Sequence, residues 1–127
     1  MSEFIGCGVT DFVCGCEWGF SLFCAEIIIG MQGFNKSQLH IISPHENQPI
    51  LWTDEIRDRY YYVHVRADSV RFISRKYHDD CYRICDKVIV DEGAMLFTDD
   101  DGGFAAQYAG INDKPVVVCE SMLRNSY

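Results

Sequence analysis

The stretch Phe20-Ser21-Leu22-Phe23-Cys24-Ala25-Glu26-Ile27-Ile28-Ile29-Gly30-Met31, followed by the polar residues 32–38 and then Leu39-His40-Ile41-Ile42, decides the fold. Phe20, Phe23, Cys24, Ile27, Ile28 and Met31 match the i, i+3, i+4, i+7 spacing of an amphipathic helix. The triplet Ile27-Ile28-Ile29 pulls the other way, because β-branched side chains favour a pleated surface. Gly33-Phe34-Asn35-Lys36-Ser37 is rich in turn formers and separates two apolar runs. The two templates compete over residues 20–32, and the hairpin is the favoured expectation.

Working outward, Ile5 to Gly19 is rich in glycine and cysteine and suggests a strand with a bend. Downstream, Pro44 and Pro49 bracket a polar loop, Ser43–Gln48. Thr53, followed by Asp54 and Glu55, is placed to cap a short helical turn. Tyr61, Val63 and Val65 alternate with Tyr62, His64 and Arg66, which is the period of a half-buried strand. Ala67-Asp68-Ser69 then suggests a turn or bulge before Val70–Ile73 resumes the pairing. His78–Val88 is predicted to be a helix, with Cys81, Ile84, Cys85 and Val88 on one face. Ala94–Thr98, the Asp101-Gly102 turn and Phe104–Tyr108 predict a second hairpin. Val116–Cys119 is a short buried strand entered through Pro115. The expected architecture is α+β over residues 1–127, a single domain with a predominantly antiparallel sheet and one or two helices.

The bulk composition narrows the functional class. A chain of 127 residues with 48% apolar content has enough material for one buried core. No basic-led apolar segment opens it, and Trp18–Met31 falls short of the ~20 residues that span a bilayer. The expectation is a soluble cytoplasmic protein that does not engage membrane. Charge is segregated: residues 1–56 carry a net −6, residues 57–87 a net +3, and residues 88–127 a net −5. An acidic chain with pI near 4.8 is a poor nucleic-acid binder, because that role needs clustered positive charge.

Motif chemistry is sparse. The seven cysteines, at 7, 14, 16, 24, 81, 85 and 119, are odd in number and lack paired knuckles, so no structural metal is expected. The pairs Cys14–Cys16, His78–Cys81 and Cys81–Cys85 are the nearest approach to a ligand set. Asp99-Asp100-Asp101-Gly102 fails the register of a calcium loop, since Phe97 would fall at the first ligand position. Gly6-Cys7-Gly8 lacks the third glycine of a dinucleotide fingerprint, and no Walker sequence occurs, so no cofactor is expected.

The leading functional expectation is a non-enzymatic binding protein that neutralises a partner protein by occlusion. An immunity-protein-like toxin inhibitor, or a phage-encoded inhibitor of a host defence complex such as an anti-CRISPR, has this size and charge. Its partner would present a basic surface to Asp99, Asp100, Asp101, Asp54 and Glu55. The first alternative is a nucleotide- or phosphate-ligand binder that uses Arg57, Arg59, Tyr62, His64, Arg66 and Arg71 as a cationic-aromatic patch. The second is a small thiol- or carboxylate-dependent enzyme.

Overall fold

The computed structural model describes residues 10–33, 36–100 and 102–119. Strands and helices alternate along it. Strand β1 (Asp11–Cys14) is followed by helix α1 (Phe20–Met31), β2 (Gln38–His45), α2 (Asp54–Arg66) and β3 (Ser69–Ser74). The second half runs α3 (Cys81–Glu92), β4 (Leu96–Thr98), α4 (Phe104–Ile111) and β5 (Val116–Val118). No helix among the described residues is long and apolar enough to cross a membrane.

All recorded strand pairing is parallel. One sheet has the order β1-β2-β3, with Phe12 opposite Leu39, and Ile41 between Cys14 and Val70. The other pairs β4 with β5, Phe97 lying opposite Val117. This overturns the expected antiparallel sheet. Parallel neighbours need a crossover of a dozen or more residues, and α1 and α2 supply it between the first three strands. Both expected hairpins are therefore absent: residues 20–31 and 104–111 are helices.

The physical reasons are local. In α1 the buried residues Leu22, Ala25 and Ile28 lie three apart, so one helical stripe faces the core and outweighs the β-branched triplet. Strand β2, entered at Gln38, buries Leu39, Ile41 and Ile42, a near-continuous apolar run suited to a strand covered on both faces. Residues 60–66, expected as a strand, belong to α2. There Tyr60 and Val63 are buried at i, i+3 spacing, and Thr53 Oγ1 accepts the Ile56 amide at 3.4 Å as N-cap. Thr53 thus caps thirteen helical residues rather than one turn. The helix expected over 78–88 is present, displaced to Cys81–Glu92; Cys81 and Cys85 are buried, while Ile84 is exposed. β5 falls inside the expected terminal strand, although its side chains are only partly covered.

The main core gathers Cys14, Cys16, Leu22, Ala25, Ile28, Leu39, Ile41, Tyr60 and Val63, with α1 packed on β1, β2 and α2. Helix α3 packs on β2, β3 and α4. The amino ends of the strands are tied by Asp68, whose carboxylate accepts the Leu39 amide at 2.8 Å and the Gln32 side-chain amide at 3.1 Å. What matters for function is the opposite end, where the chain leaves β1 and enters α1.

Candidate functional site

Strand β1 ends on Cys14, and Gly15-Cys16-Glu17-Trp18-Gly19 carries the chain into α1. Two residues give this turn its shape. Cys16 has a left-handed φ of 57°, and Gly19 has a φ of 111°. The Gly19 conformation is one that only glycine adopts without strain. A Cβ there would meet nothing within 4 Å, so space is open beside the helix start. Gly19→Ala is therefore expected to cost about 1–3 kcal/mol through backbone strain alone. Chemical denaturation checks this, and a neutral substitution would mean that the turn relaxes freely.

The turn is fixed from β2 by buried polar groups. Gln48 Nε2 donates to the Gly15 carbonyl at 3.2 Å and to Ser43 Oγ at 3.1 Å, and Ser43 Oγ lies 3.4 Å from the Tyr60 hydroxyl. Gln48 Oε1 and His45 Nδ1 are buried without a hydrogen-bond partner. Leaving such groups unpaired costs about 1–3 kcal/mol each, so this end of the sheet holds unspent polar capacity. Inside the turn, Ser21 Oγ accepts the Cys16 amide at 2.9 Å. No side chain caps the amino end of α1; the Leu22 amide donates to the Glu17 carbonyl at 3.0 Å, and the positive end of the helix dipole faces the turn.

A cavity of about 720 Å³ opens here, between the β1 edge and the β4 edge. Asp11 to Gly15 and Leu96 to Asp99 form its long sides; Phe20, Cys24 and Ile28 of α1 and Asp86 and Ile89 of α3 also line it. Phe20 and Phe97 meet across it with ring centroids 5.6 Å apart. Five acids line it (Asp11, Glu17, Asp86, Glu92 and Asp99), with no Lys or Arg among the described lining residues. Burial raises Glu17 to about 7, with the Asp86 charge adding to the effect, and burial raises Asp86 to about 6. Raised carboxyls in a cleft of ligand size make this the candidate functional site.

The residues expected from the sequence to bind a partner or a phosphate ligand fall elsewhere, with one exception. Asp99 lines the cavity. Asp100 is exposed and its carboxylate accepts the Gly102 amide at 3.1 Å, while Asp101 lies outside the described residues. Asp54 and Glu55 are exposed in the first turn of α2, and Asp54 pairs with Arg57 at 3.0 Å. Of the cationic-aromatic set, Arg57, Arg59, Tyr62, His64 and Arg66 sit on helix α2, and Arg71 on β3. They do not form the single strand face expected of them. Arg59 makes a two-pronged contact with Glu26, at 2.9 and 2.5 Å, and lies over Trp18. Arg66 stacks 3.6 Å from the Tyr62 ring, Arg71 pairs with Glu92, and His64 Nδ1 lies 3.0 Å from the Tyr60 carbonyl. Three of the eight basic residues of the middle, Arg57, Arg59 and Arg71, thus pair with acids of the flanks. The sequence reading missed the turn itself; its signal is an apolar strand, Gly15-x-x-x-Gly19, and then a helix.

Fold and cavity together define a βαβ protein of parallel strands with a ligand-sized site where β1 turns into α1. Sequence comparison gives the family. The YpsA family model, described as the YspA SLOG family, matches residues 1–111, and the chain belongs to that family. A protein described as a UPF0398 protein, from Macrococcus caseolyticus (strain JCSC5402), is 29% identical over 109 residues. That match covers 80% of this chain and 57% of the relative, so the chain spans little more than half the relative's length.

Proposed function

We propose that the protein binds a nucleoside or nucleoside monophosphate in the cavity at the carboxyl end of β1. The observation that carries this reading is the β1–α1 turn, where a parallel strand feeds an uncapped helix start beside a 720 Å³ cavity. In parallel sheets of this kind ligands bind outside the carboxyl ends of the strands, and a helix amino terminus is a ready anion site. In this reading a single phosphate takes the positive end of α1. Phe20, Phe97 and the exposed Trp18 supply apolar and aromatic surface for a base. Glu17, Asp86 and Asp99 offer carboxyls to ribose hydroxyls. The same acids, with no Lys or Arg among the described lining residues, disfavour a polyphosphate tail.

The occlusion reading assigns Asp99 to a basic partner protein, whereas the ligand reading turns that residue to the cavity. The two separate in a thermal-shift series on the purified chain with adenosine, guanosine, their monophosphates and ATP. The monophosphates are expected to stabilise the fold, by about 2.7 kcal/mol at a hundred times Kd. ATP should bind at least ~10-fold more weakly, because its added charge meets the acidic lining. No shift with any nucleoside or monophosphate at millimolar concentration would overturn the proposal.

A further inference from the structure

Ligand binding leaves one feature of the β1–α1 turn unused, its two thiols. The left-handed φ of Cys16 folds the chain back on the end of β1 and brings Cys16 Sγ to 4.0 Å from Cys14 Sγ, with the Cys16 thiol as donor. Ser21 Oγ stands 3.1 Å from Cys14 Sγ. Because that oxygen already accepts the Cys16 amide, its own proton is free to turn to the sulfur. The Cys16 thiol and the Ser21 hydroxyl thus reach one sulfur, whose own proton goes to the Ser21 carbonyl at 3.1 Å, at the edge of a cavity that Cys14 itself lines.

We propose that Cys14 and Cys16 form a peroxide-reactive dithiol, in which Cys14 attacks a hydroperoxide and Cys16 then closes an intramolecular disulfide. In the first step the Cys14 sulfur attacks one peroxide oxygen. The S–O bond forms, the O–O bond breaks, and the other oxygen leaves as an alcohol or water with the proton that Cys14 surrenders. Sulfur is oxidised by two electrons to a sulfenic acid, and the peroxide is reduced by two. In the second step the Cys16 sulfur attacks the Cys14 sulfur. The S–S bond forms, the S–O bond breaks, and the departing hydroxide takes the Cys16 proton as water. Closing the bond draws the sulfurs from 4.0 Å to about 2.05 Å, a movement within one short turn.

The division of labour follows from the hydrogen bonds. The Cys16 thiol proton, and then the Ser21 hydroxyl, hold Cys14 below the ordinary thiol range, against the opposing effect of burial. Sharing its proton with Cys14, together with burial, holds Cys16 well above that range. Cys14 is the attacking sulfur and Cys16 the resolving one. Cys24 and Cys85 are raised by burial and stay inert. The oxidant class follows from access and charge. Cys14 is almost covered, at 8% exposure, and the lining acids repel an anionic disulfide such as oxidised glutathione. A small neutral hydroperoxide meets neither obstacle.

The test uses the full reduced chain and hydrogen peroxide near stoichiometry, with alkylation of the remaining thiols and peptide mass spectrometry. Cys14 and Cys16 are expected to lose alkylation together, before Cys24, Cys81 and Cys85, with a mass loss of about 2 Da. Cys16→Ser should stop at a sulfenic acid on Cys14 that dimedone traps, and Ser21→Ala should slow the first step at least ~3-fold. Oxidised glutathione at the same concentration should leave the pair reduced. If Cys14 remains fully alkylatable once peroxide has consumed the less buried Cys119, or pairs with another cysteine, the proposal is wrong. Should Cys16→Ser fail to fold, peptide mapping of the unsubstituted chain decides alone. The readout is sulfur chemistry, so its failure would leave the ligand reading untouched, and a failed nucleoside series would leave this one standing.

Discussion

Ile41→Ala is expected to destabilise the fold by about 3–4 kcal/mol, the largest effect of any single truncation considered for this protein. Ile41 is fully buried in β2, the central strand, with Cys14 opposite on one side and Val70 on the other. Removing three carbons there forfeits their transfer free energy and leaves a cavity that two hydrogen-bonded neighbours prevent from collapsing. Urea denaturation gives the difference directly. Ile111→Ala, at a residue 81% exposed, is the matched control and should stay within ~0.5 kcal/mol. A loss below ~1 kcal/mol for Ile41→Ala would mean that β2 is not the covered middle strand of a parallel sheet.

That placement shows which parts of the fold were legible in the sequence. β2 was visible as Leu39-His40-Ile41-Ile42, because a strand buried on both faces is apolar almost without interruption. Its partners were not. A turn-rich segment between two apolar runs signals a reversal of chain direction, but whether a strand or a helix follows depends on a distant packing surface. Asp101-Gly102-Gly103 looked like a hairpin tip; Gly103 is instead the N-cap of α4. Tyr61, Val63 and Val65 alternate convincingly, yet Tyr61 and Val65 are exposed and the buried pair is Tyr60 and Val63. The three consecutive tyrosines concealed the helical period, because large amphipathic rings satisfy either face. The charge segregation was legible and its meaning only partly so. Arg59–Glu26 and Arg71–Glu92 link the basic middle to the acidic flanks, which accounts for part of the pattern as internal pairing. The site escaped because the Cys14-Gly15-Cys16 spacing was weighed against zinc knuckles. Its importance lies in the backbone turn it makes at the end of a parallel strand, and parallel pairing was not in view.

Glu17→Gln is expected to stabilise the protein by about 1–2 kcal/mol at pH 8 and to leave it unchanged near pH 4. The folded state raises Glu17 to about 7 and Asp86 to about 6, through burial and, for Glu17, the neighbouring Asp86 charge. In the unfolded chain these groups ionise near their ordinary values of 4.5 and 3.8. Between those limits the folded state holds more protons than the unfolded one, so stability falls as pH rises from about 4 to 7. For the two carboxyls together the loss is on the order of 2–3 kcal/mol, reduced from the full shift because both side chains retain some exposure to solvent. Glutamine keeps the shape of Glu17 and removes the charge, so the variant should lack that group's share of the slope. Asp86, raised by burial, keeps its own share of the slope. The measurement is urea denaturation of both proteins from pH 4 to pH 8, taken as a difference, so that other titrating groups cancel. A variant less stable than the parent at pH 8 would show that Glu17 has a cationic partner and is not a strained cavity acid. With the expected sign, the cavity near neutral pH holds a Glu17 carboxyl that carries its proton part of the time, beside a largely ionised Asp86. A partly protonated carboxyl donates as well as accepts hydrogen bonds, which suits the hydroxyl-rich, weakly charged ligand proposed for it.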